Sequence, residues 1–309
     1  MKMPDMSDNV DCAVIGGGPA GLTAAIYLAR YHLSVLVFDD GMSRALKIPV
    51  SHNHAGIPDG IGGTELLSRI RTQALKYGAH ICSSRVQRLE RSGQAYVVHC
   101  AADKVRTKNV LLATGVINRR PAMSEDQHDD AVARGLLRYC PVCDGYEVTD
   151  ACVAVFGAGA KGFNEALFLR SYSKDITLVS PHAEHGLTDE QMEKLSGLGI
   201  KVHTGPSTSI EPRQGAIRLH SDGRTHAFAS VYPALGSDVR SALASDVGAD
   251  LSNEGCVIVD RQQRSSVPGL YAAGDVVIGL DQISSAMGQA GVAATAMRNE
   301  LYERAPLTR

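Results

Sequence analysis

The stretch Cys12-Ala13-Val14-Ile15-Gly16-Gly17-Gly18-Pro19-Ala20-Gly21 decides the fold. An apolar run suited to a buried strand stops at glycines, a helix follows through Ala29, and a second apolar run, Ser34-Val35-Leu36-Val37-Phe38, comes next. In such a strand-turn-helix unit Gly16 permits the tight turn, Gly18 lets the backbone approach a pyrophosphate, and Gly21 lets the helix pack closely on the strand. Amides at the helix start then face the phosphates. Asp39 closes the second strand, where an acidic side chain accepts both hydroxyl protons of an adenosine ribose. A Gly-x-Gly-x-x-Gly alone also serves plain packing turns. Strand, helix, second strand and terminal acid together indicate a dinucleotide site.

The unit recurs. Strand Val153-Ala154-Val155-Phe156 leads into the turn Gly157-Ala158-Gly159-Ala160-Lys161-Gly162, a helix through Arg170 and a strand Asp175-Ile176-Thr177-Leu178-Val179. This copy ends in Ser180-Pro181-His182, which offers neither an acid for a ribose diol nor an arginine pair for a 2'-phosphate. Both a nucleotide site and an inherited, silent fold remain open there. Two further buried-strand runs support the first site: Val110-Leu111-Leu112-Ala113-Thr114-Gly115, and Leu270-Tyr271-Ala272-Ala273-Gly274-Asp275. A Gly-Asp step is commonly a plain turn. After an apolar strand it can instead place Asp275 on a ribityl or phosphate group. A long Ala-rich helix, about Gln282 to Tyr302, starts just beyond, and its positive end suits the negative charge of a reduced flavin. The alternative is an ordinary amphipathic helix with Asp281 as its N-cap.

Composition sets the outer limits. The 309 residues are 44% hydrophobic and 21% charged, with 31 Gly and a formal net charge of -2, enough for about two domains with real cores. Intrinsic disorder is excluded by that apolar share. The near balance of basic and acidic residues argues against nucleic-acid binding, which needs a concentrated positive field. No run of about 18 apolar residues offers a membrane span. The polar, partly acidic start lacks a basic n-region and a small-residue cleavage site, so no signal peptide is expected. Seven cysteines, an odd number mostly scattered in apolar runs, fit a reduced cytoplasmic setting.

Two of those cysteines carry chemistry. In Tyr139-Cys140-Pro141-Val142-Cys143-Asp144-Gly145-Tyr146 the pair is spaced for a disulfide at a helix start, whose dipole would lower the thiol pKa. Asp144 is placed to shuttle the proton of thiol-disulfide exchange. A zinc half-site is the alternative, but no second Cys or His pair follows at finger spacing, so no metal is expected. The other five cysteines read as small buried hydrophobes. His52, His54, His182 and His185 read as surface-loop histidines, because no ligand partners stand at metal spacing.

The order of these motifs resembles the low-molecular-weight thioredoxin reductases, class II pyridine nucleotide-disulfide oxidoreductases, over nearly the whole chain. The resemblance implies an α/β fold of two Rossmann-like dinucleotide-binding domains, the second inserted into the first. An FAD domain would comprise residues 1–118 and 246–309, and an NAD(P)H-binding-like domain with the redox pair residues 119–245. It puts FAD on Gly16, Gly18, Pro19, Ala20, Gly21 and Asp39, on Thr114 and Gly115, on Gly274 and Asp275, and on Gln282 and Ile283. Asn53 of Asn53-His54-Ala55-Gly56 would lie at the flavin's distal side. NADPH or NADH would sit on Gly157, Gly159 and Gly162. Cys143 would meet the flavin, Cys140 attack the partner disulfide, and Asp144 act as acid-base.

Electrons would run from NAD(P)H through FAD and the pair to thioredoxin or a similar disulfide. Members of the family alternate between two domain orientations. Hinges are expected near Asn118-Arg119-Arg120-Pro121 and Ser245–Val247, and the assembly is expected to be a homodimer. One departure stands out: NADPH-dependent members carry a His-Arg-Arg run where this chain has Ser180-Pro181-His182. Relatives fed by ferredoxin, and oxidases acting on small dithiols, share the flavin and C-x-x-C arrangement and form the alternative reading. Those oxidases often carry His in place of Asp144.

Overall fold

The computed structural model describes residues 9–101, 103–207, 209–221 and 223–307. The quoted stretch forms β1 (Asn9–Ile15) and α1 (Pro19–Arg30). Proline at the first helical position lacks an amide that would have no helical partner, and its φ is preset for the helix, so strand turns directly into helix. β2 (Val35–Phe38) pairs parallel with β1, Cys12 opposite Val35 and Ile15 opposite Phe38. α2 (Gly63–Lys76) leads to β3 (His80–Cys82), parallel to β2. Then β4 (Val86–Ser92), β5 (Ala95–Cys100) and β6 (Lys104–Leu112) run antiparallel to one another, and β6 lies parallel to β1 on the side away from β2. β6 alternates exposed and buried residues beside β5, then buries every residue from Asn109 on. That change marks its passage from a sheet wetted on one face to one covered on both. β7 (Val116–Asn118) follows.

Between Asn118 and Ser237 a second α/β unit forms. It contains α3 (Glu125–Ala133), α4 (Pro141–Asp144), β8 (Val153–Gly157), α5 (Gly159–Leu169), β9 (Ile176–Val179), α6 (Asp189–Gly197) and β10 (Lys201–His203). β11 (Ser209–Arg213), β12 (Ala216–Ser221) and β13 (Arg224–Phe228) make an antiparallel sheet, and β14 (Ser230–Ala234) joins the parallel order β10-β9-β8-β14. Successive β8 side chains point to opposite faces. Ala154 and Phe156 pack with Ile217, Leu219 and Phe228, while Val153 and Val155 pack with Phe163, Leu169 and Tyr232.

The chain returns through β15 (Ser237–Val239), which pairs with β7, and α7 (Ala242–Asp246). β16 (Leu270–Ala272) lies parallel to β6, and α8 (Ile283–Arg304) packs against α1. Among the described residues no helix is long and apolar enough to cross a membrane.

Two compact units result: the described residues through Leu46, Gly62–Ile117 and from Asp238 on, and Lys47–Ile61 with Asn118–Ser237. The first crossing falls between Ile117 and Asn118. The second comes earlier than residue 246, because Ala244 and Ala249 are already buried with Val10, Leu36, Phe38 and Val257 of the first unit. Ser245–Val247 is therefore packed helix and cap in the first unit, and the crossing is at Ser237 and Asp238. Lys47–Ile61, expected with the first unit, belongs to the second, where Lys47 Nζ meets Asp129 Oδ2 at 2.6 Å.

Candidate active site

The first glycine turn is shaped by its own packing. Gly16 has φ +116°, and a Cβ there would lie 2.2 Å from the Ala113 carbonyl oxygen; on Gly21 it would lie 1.9 Å from that of Gly16. Neither position admits a side chain. α1 starts at Gly18 with no side-chain cap, which leaves its first-turn amides, including those of Ala20 and Gly21, without a side-chain acceptor. A Cβ on Gly17 would fall 2.1 Å from Asp39 Cγ, so the Asp39 carboxyl lies directly against the turn. Its Oδ1 accepts from the Gly41 amide at 2.9 Å and its Oδ2 from Arg71 Nη1 at 2.8 Å. A carboxylate has about four acceptor positions, so capacity for a ribose diol remains. This turn, its uncapped helix and the adjacent acid fit an adenine dinucleotide such as FAD.

At the late strand end, Gly274 has φ +80° and its amide donates to Gln289 Oε1 at 2.8 Å. Asp275 pairs with Arg44 Nη2 at 2.9 Å, and the same nitrogen stands 3.5 Å from Asp281. Burial, with the Asp275 charge, raises the Asp281 carboxyl, and Arg44 opposes this. Asp281 is not the cap of α8: the cap is Gln282, next to Ile283. Thr114 Oγ1 donates to the Arg240 carbonyl at 2.7 Å, and the Gly115 carbonyl accepts from the Arg240 amide at 3.0 Å. Asn53 lies in the second unit, where its Nδ2 donates to the Val142 carbonyl at 3.3 Å.

Cys140 and Cys143 form a disulfide with their Cα atoms 5.2 Å apart. The helix beside them is shorter than its sequence implies: α4 is one turn, too short for a substantial dipole. The Cys143 amide points at Cys140 Sγ at 3.1 Å. Asp144 is engaged on both oxygens, Oδ2 by Arg138 Nη1 at 3.0 Å and Oδ1 by the Tyr232 hydroxyl at 2.9 Å. Burial pushes its carboxyl up, while Arg138 and Tyr232 pull it back. Glu165 of α5 is pushed up to about 7, first by burial and then by the Asp144 charge.

The second glycine turn differs from the first. Gly157 and Gly162 are again held by close packing, with Cβ positions 2.8 Å from Ala234 Cβ and 2.9 Å from the Gly157 carbonyl carbon respectively. The amide of Gly159, however, donates to the His185 carbonyl at 2.7 Å. Residues 180–188 thus fold back over the turn. Ser180, fully buried, anchors that loop by donating to the Glu184 carbonyl at 3.0 Å and accepting from the His182 amide at 3.1 Å. The loop contains no arginine.

Some smaller expectations change. Cys12 and Cys100 are buried, but Cys82, Cys152 and Cys256 are only half-buried. Cys152 precedes β8 rather than lying inside it, which leaves its thiol partly open beside Asp175. His185 is half-buried, its Nδ1 accepting from the Leu187 amide at 3.1 Å. Arg44, Arg71, Arg138, Tyr232 and Gln289 carry no local sequence signal, because each partner comes from a distant part of the chain or from a different element.

The pattern of the pyridine nucleotide-disulphide oxidoreductase family matches residues 10–290. The thioredoxin reductase of Streptomyces coelicolor is 31% identical over 287 residues, covering 88% of this chain and 87% of its own. The bifunctional thioredoxin reductase/thioredoxin of Mycobacterium leprae is 32% identical over 276 residues, 85% of this chain and 59% of its own. Among solved structures, the thioredoxin reductase of Streptococcus pyogenes superposes with a TM-score of 0.88 at 26% identity, covering 96% of this chain and 100% of that one.

Proposed function

The chain belongs to the pyridine nucleotide-disulphide oxidoreductase family, and from that premise we propose an FAD-dependent enzyme of thioredoxin-reductase type. It would take electrons from NAD(P)H and deliver them through Cys140 and Cys143 to thioredoxin or a similar disulfide. The observation that carries this reading is the Cys140–Cys143 disulfide followed directly by a half-buried carboxyl, in a chain whose first glycine turn suits FAD. When bound, FAD supplies the two-electron carrier that exchanges with a dithiol.

Gly16, Gly18, Pro19, Ala20 and Gly21 would hold its pyrophosphate and Asp39 its adenosine ribose. Thr114, Gly115, Gly274 and Asp275 would line its central part, with Gln282 and Ile283 at the ring. Gly157, Gly159 and Gly162 would take the nicotinamide nucleotide. Cys140 as thiolate attacks the external disulfide and one partner thiolate leaves. Cys143 then resolves the mixed disulfide, so the pair ends oxidised and the partner ends as two thiols. Asp144 accepts the thiol proton and returns it to the leaving sulfur. The assembly we propose is a homodimer, a reading supported by exposed Tyr27 of α1 and Val292 and Tyr302 of α8.

A second reading has its own support. With the Gly159 amide bonded to His185 and no arginine in residues 180–188, the second turn suits a dinucleotide poorly. A ferredoxin or a small dithiol would then exchange electrons in place of NAD(P)H. Anaerobic mixing separates the two. Bleaching of the flavin absorbance by NADPH or NADH supports the first reading; bleaching by dithiothreitol alone, with none by either nucleotide at millimolar concentration, replaces it with the second. In both, Cys140→Ser should abolish turnover of a disulfide substrate while FAD stays bound.

A further inference from the structure

We propose that Arg138 is a positioning residue which, with Tyr232, fixes the orientation and the charge of the Asp144 carboxylate and so sets the pH range of thiol-disulfide exchange at Cys140 and Cys143. This rests on the reading of Asp144 as the acid-base given above.

The arginine is held by built contacts. Its backbone amide donates to the Val231 carbonyl at 3.0 Å and the Val231 amide donates to the Leu136 carbonyl at 2.8 Å, so residues 136–138 lie along β14 like an extra strand. The guanidinium folds back over Gly135, which has φ +66° and where a Cβ would lie 2.6 Å from Nη2. Only glycine leaves that space. Nε then donates to the Gly135 carbonyl at 3.0 Å and to Ser230 Oγ at 3.3 Å, which leaves Nη1 aimed at Asp144. Tyr232, from the same strand β14, is fully buried and reaches Asp144 from its other oxygen. Two rigid donors thus grip one carboxylate, and the Arg138 and Asp144 side chains are only 20% and 23% exposed.

The surroundings show why the grip matters. Burial and the neighbouring Glu147 favour the neutral acid at Asp144, whose own charge pushes the nearby Glu165 carboxyl up. Arg138 and Tyr232 oppose them. Without Arg138 the carboxyl would hold its proton to higher pH and would stop accepting one from a thiol. In the exchange, the Cys140 thiol passes its proton to Asp144, the thiolate sulfur bonds to one sulfur of the partner disulfide, and the other sulfur leaves with the pair of electrons and takes that proton. Cys143 then bonds to Cys140, expelling the second partner sulfur as a thiol. Two thiols of the enzyme become a disulfide and the partner disulfide becomes two thiols.

The test uses reduced holoenzyme mixed with cystamine across pH 5 to 9, with the Cys140–Cys143 peptide counted by alkylation and mass spectrometry. Arg138→Met should move the acid limb of the rate profile upward by about one pH unit, about tenfold in rate at a fixed pH on that limb. Arg138→Lys should restore part of the shift, and Tyr232→Phe should move it the same way by less. A profile in Arg138→Met parallel to that of the unmodified enzyme, however slow, would overturn the inference and leave Arg138 a mere staple. Should Arg138→Met lose FAD or fail to fold, the same comparison with Arg138→Lys and Tyr232→Phe decides. If Cys140→Ser lets Cys143 form a mixed disulfide with cystamine as fast as the unmodified enzyme oxidises the pair, the underlying reading fails instead.

Discussion

The amide of Gly159 donates to the carbonyl oxygen of His185 at 2.7 Å, within a turn whose sequence would otherwise turn that amide toward a pyrophosphate. A nucleotide binding there has to break this bond and lift residues 180–188. Because NAD(P)H is the proposed donor, millimolar NADPH or NADH should change hydrogen exchange across residues 157–162 and 180–188, and no change would favour a ferredoxin or a dithiol in its place. Slower exchange in the first segment with faster exchange in the second would mean that the loop opens and that the second turn is in use.

Gly21 of the first turn and Gly159 of the second should differ in their tolerance of a methyl group. On Gly21 the new Cβ would sit 1.9 Å from backbone oxygen, a clash no rotamer relieves. Gly21→Ala should cost about 3 kcal/mol or more and shed FAD. At Gly159 the nearest atom is 3.9 Å away, so Gly159→Ala pays only for its φ of +56°, about 1–2 kcal/mol. Urea unfolding and flavin absorbance after gel filtration check both.

The fold's skeleton is legible because its signals are local. Val14, Ile15 and Gly16 to Gly21 are neighbours, and periodicity plus glycine spacing places β1 and α1 close to their observed bounds. The second crossing is not legible. Ala242–Asp246 looks like any small-residue stretch, and only contact with Val10 and Val257 assigns it to the first unit. The same holds at the redox pair. Asp144 stands beside Cys143 in sequence and is found from it, whereas Tyr232 reaches it through the parallel sheet and leaves no trace near the motif. The loop over Gly159 hides differently: His185 reads as a surface-loop histidine, and only the backbone bond reveals that it closes the turn.

Asp39 and Arg71 offer a measure of the first site. Asp39 Oδ2 and Arg71 Nη1 are 2.8 Å apart, with the carboxylate far less exposed than the guanidinium. Asp39→Ala removes both the ribose acceptor and the pair, and should weaken FAD binding by about 1.5–3 kcal/mol, roughly ten- to a hundredfold. Arg71→Ala leaves the acceptor and loses orientation alone, so about a fivefold loss is expected. Fluorescence titration of apoprotein with FAD measures each. Equal losses would mean that Asp39 acts only through Arg71.

Glu165 gives the oxidised protein a pH signature of its own. Its folded-state carboxyl is pushed up to about 7 by burial and by Asp144, against about 4.5 for an ordinary glutamate. A raised folded value means the folded state holds the proton more tightly than the unfolded chain. The resulting stability is fully present below about 4.5 and is lost as pH rises through about 7. Because Glu165 keeps some contact with solvent, the effect is on the order of 1 kcal/mol. Urea unfolding at pH 5 and pH 8 should show Glu165→Gln to be the less pH-sensitive protein, and the more stable of the two at pH 8. Asp144→Asn should narrow the difference, since it removes the second cause of the shift. An unchanged pH dependence in Glu165→Gln would mean that solvent reaches the carboxyl and that Asp144 titrates without it.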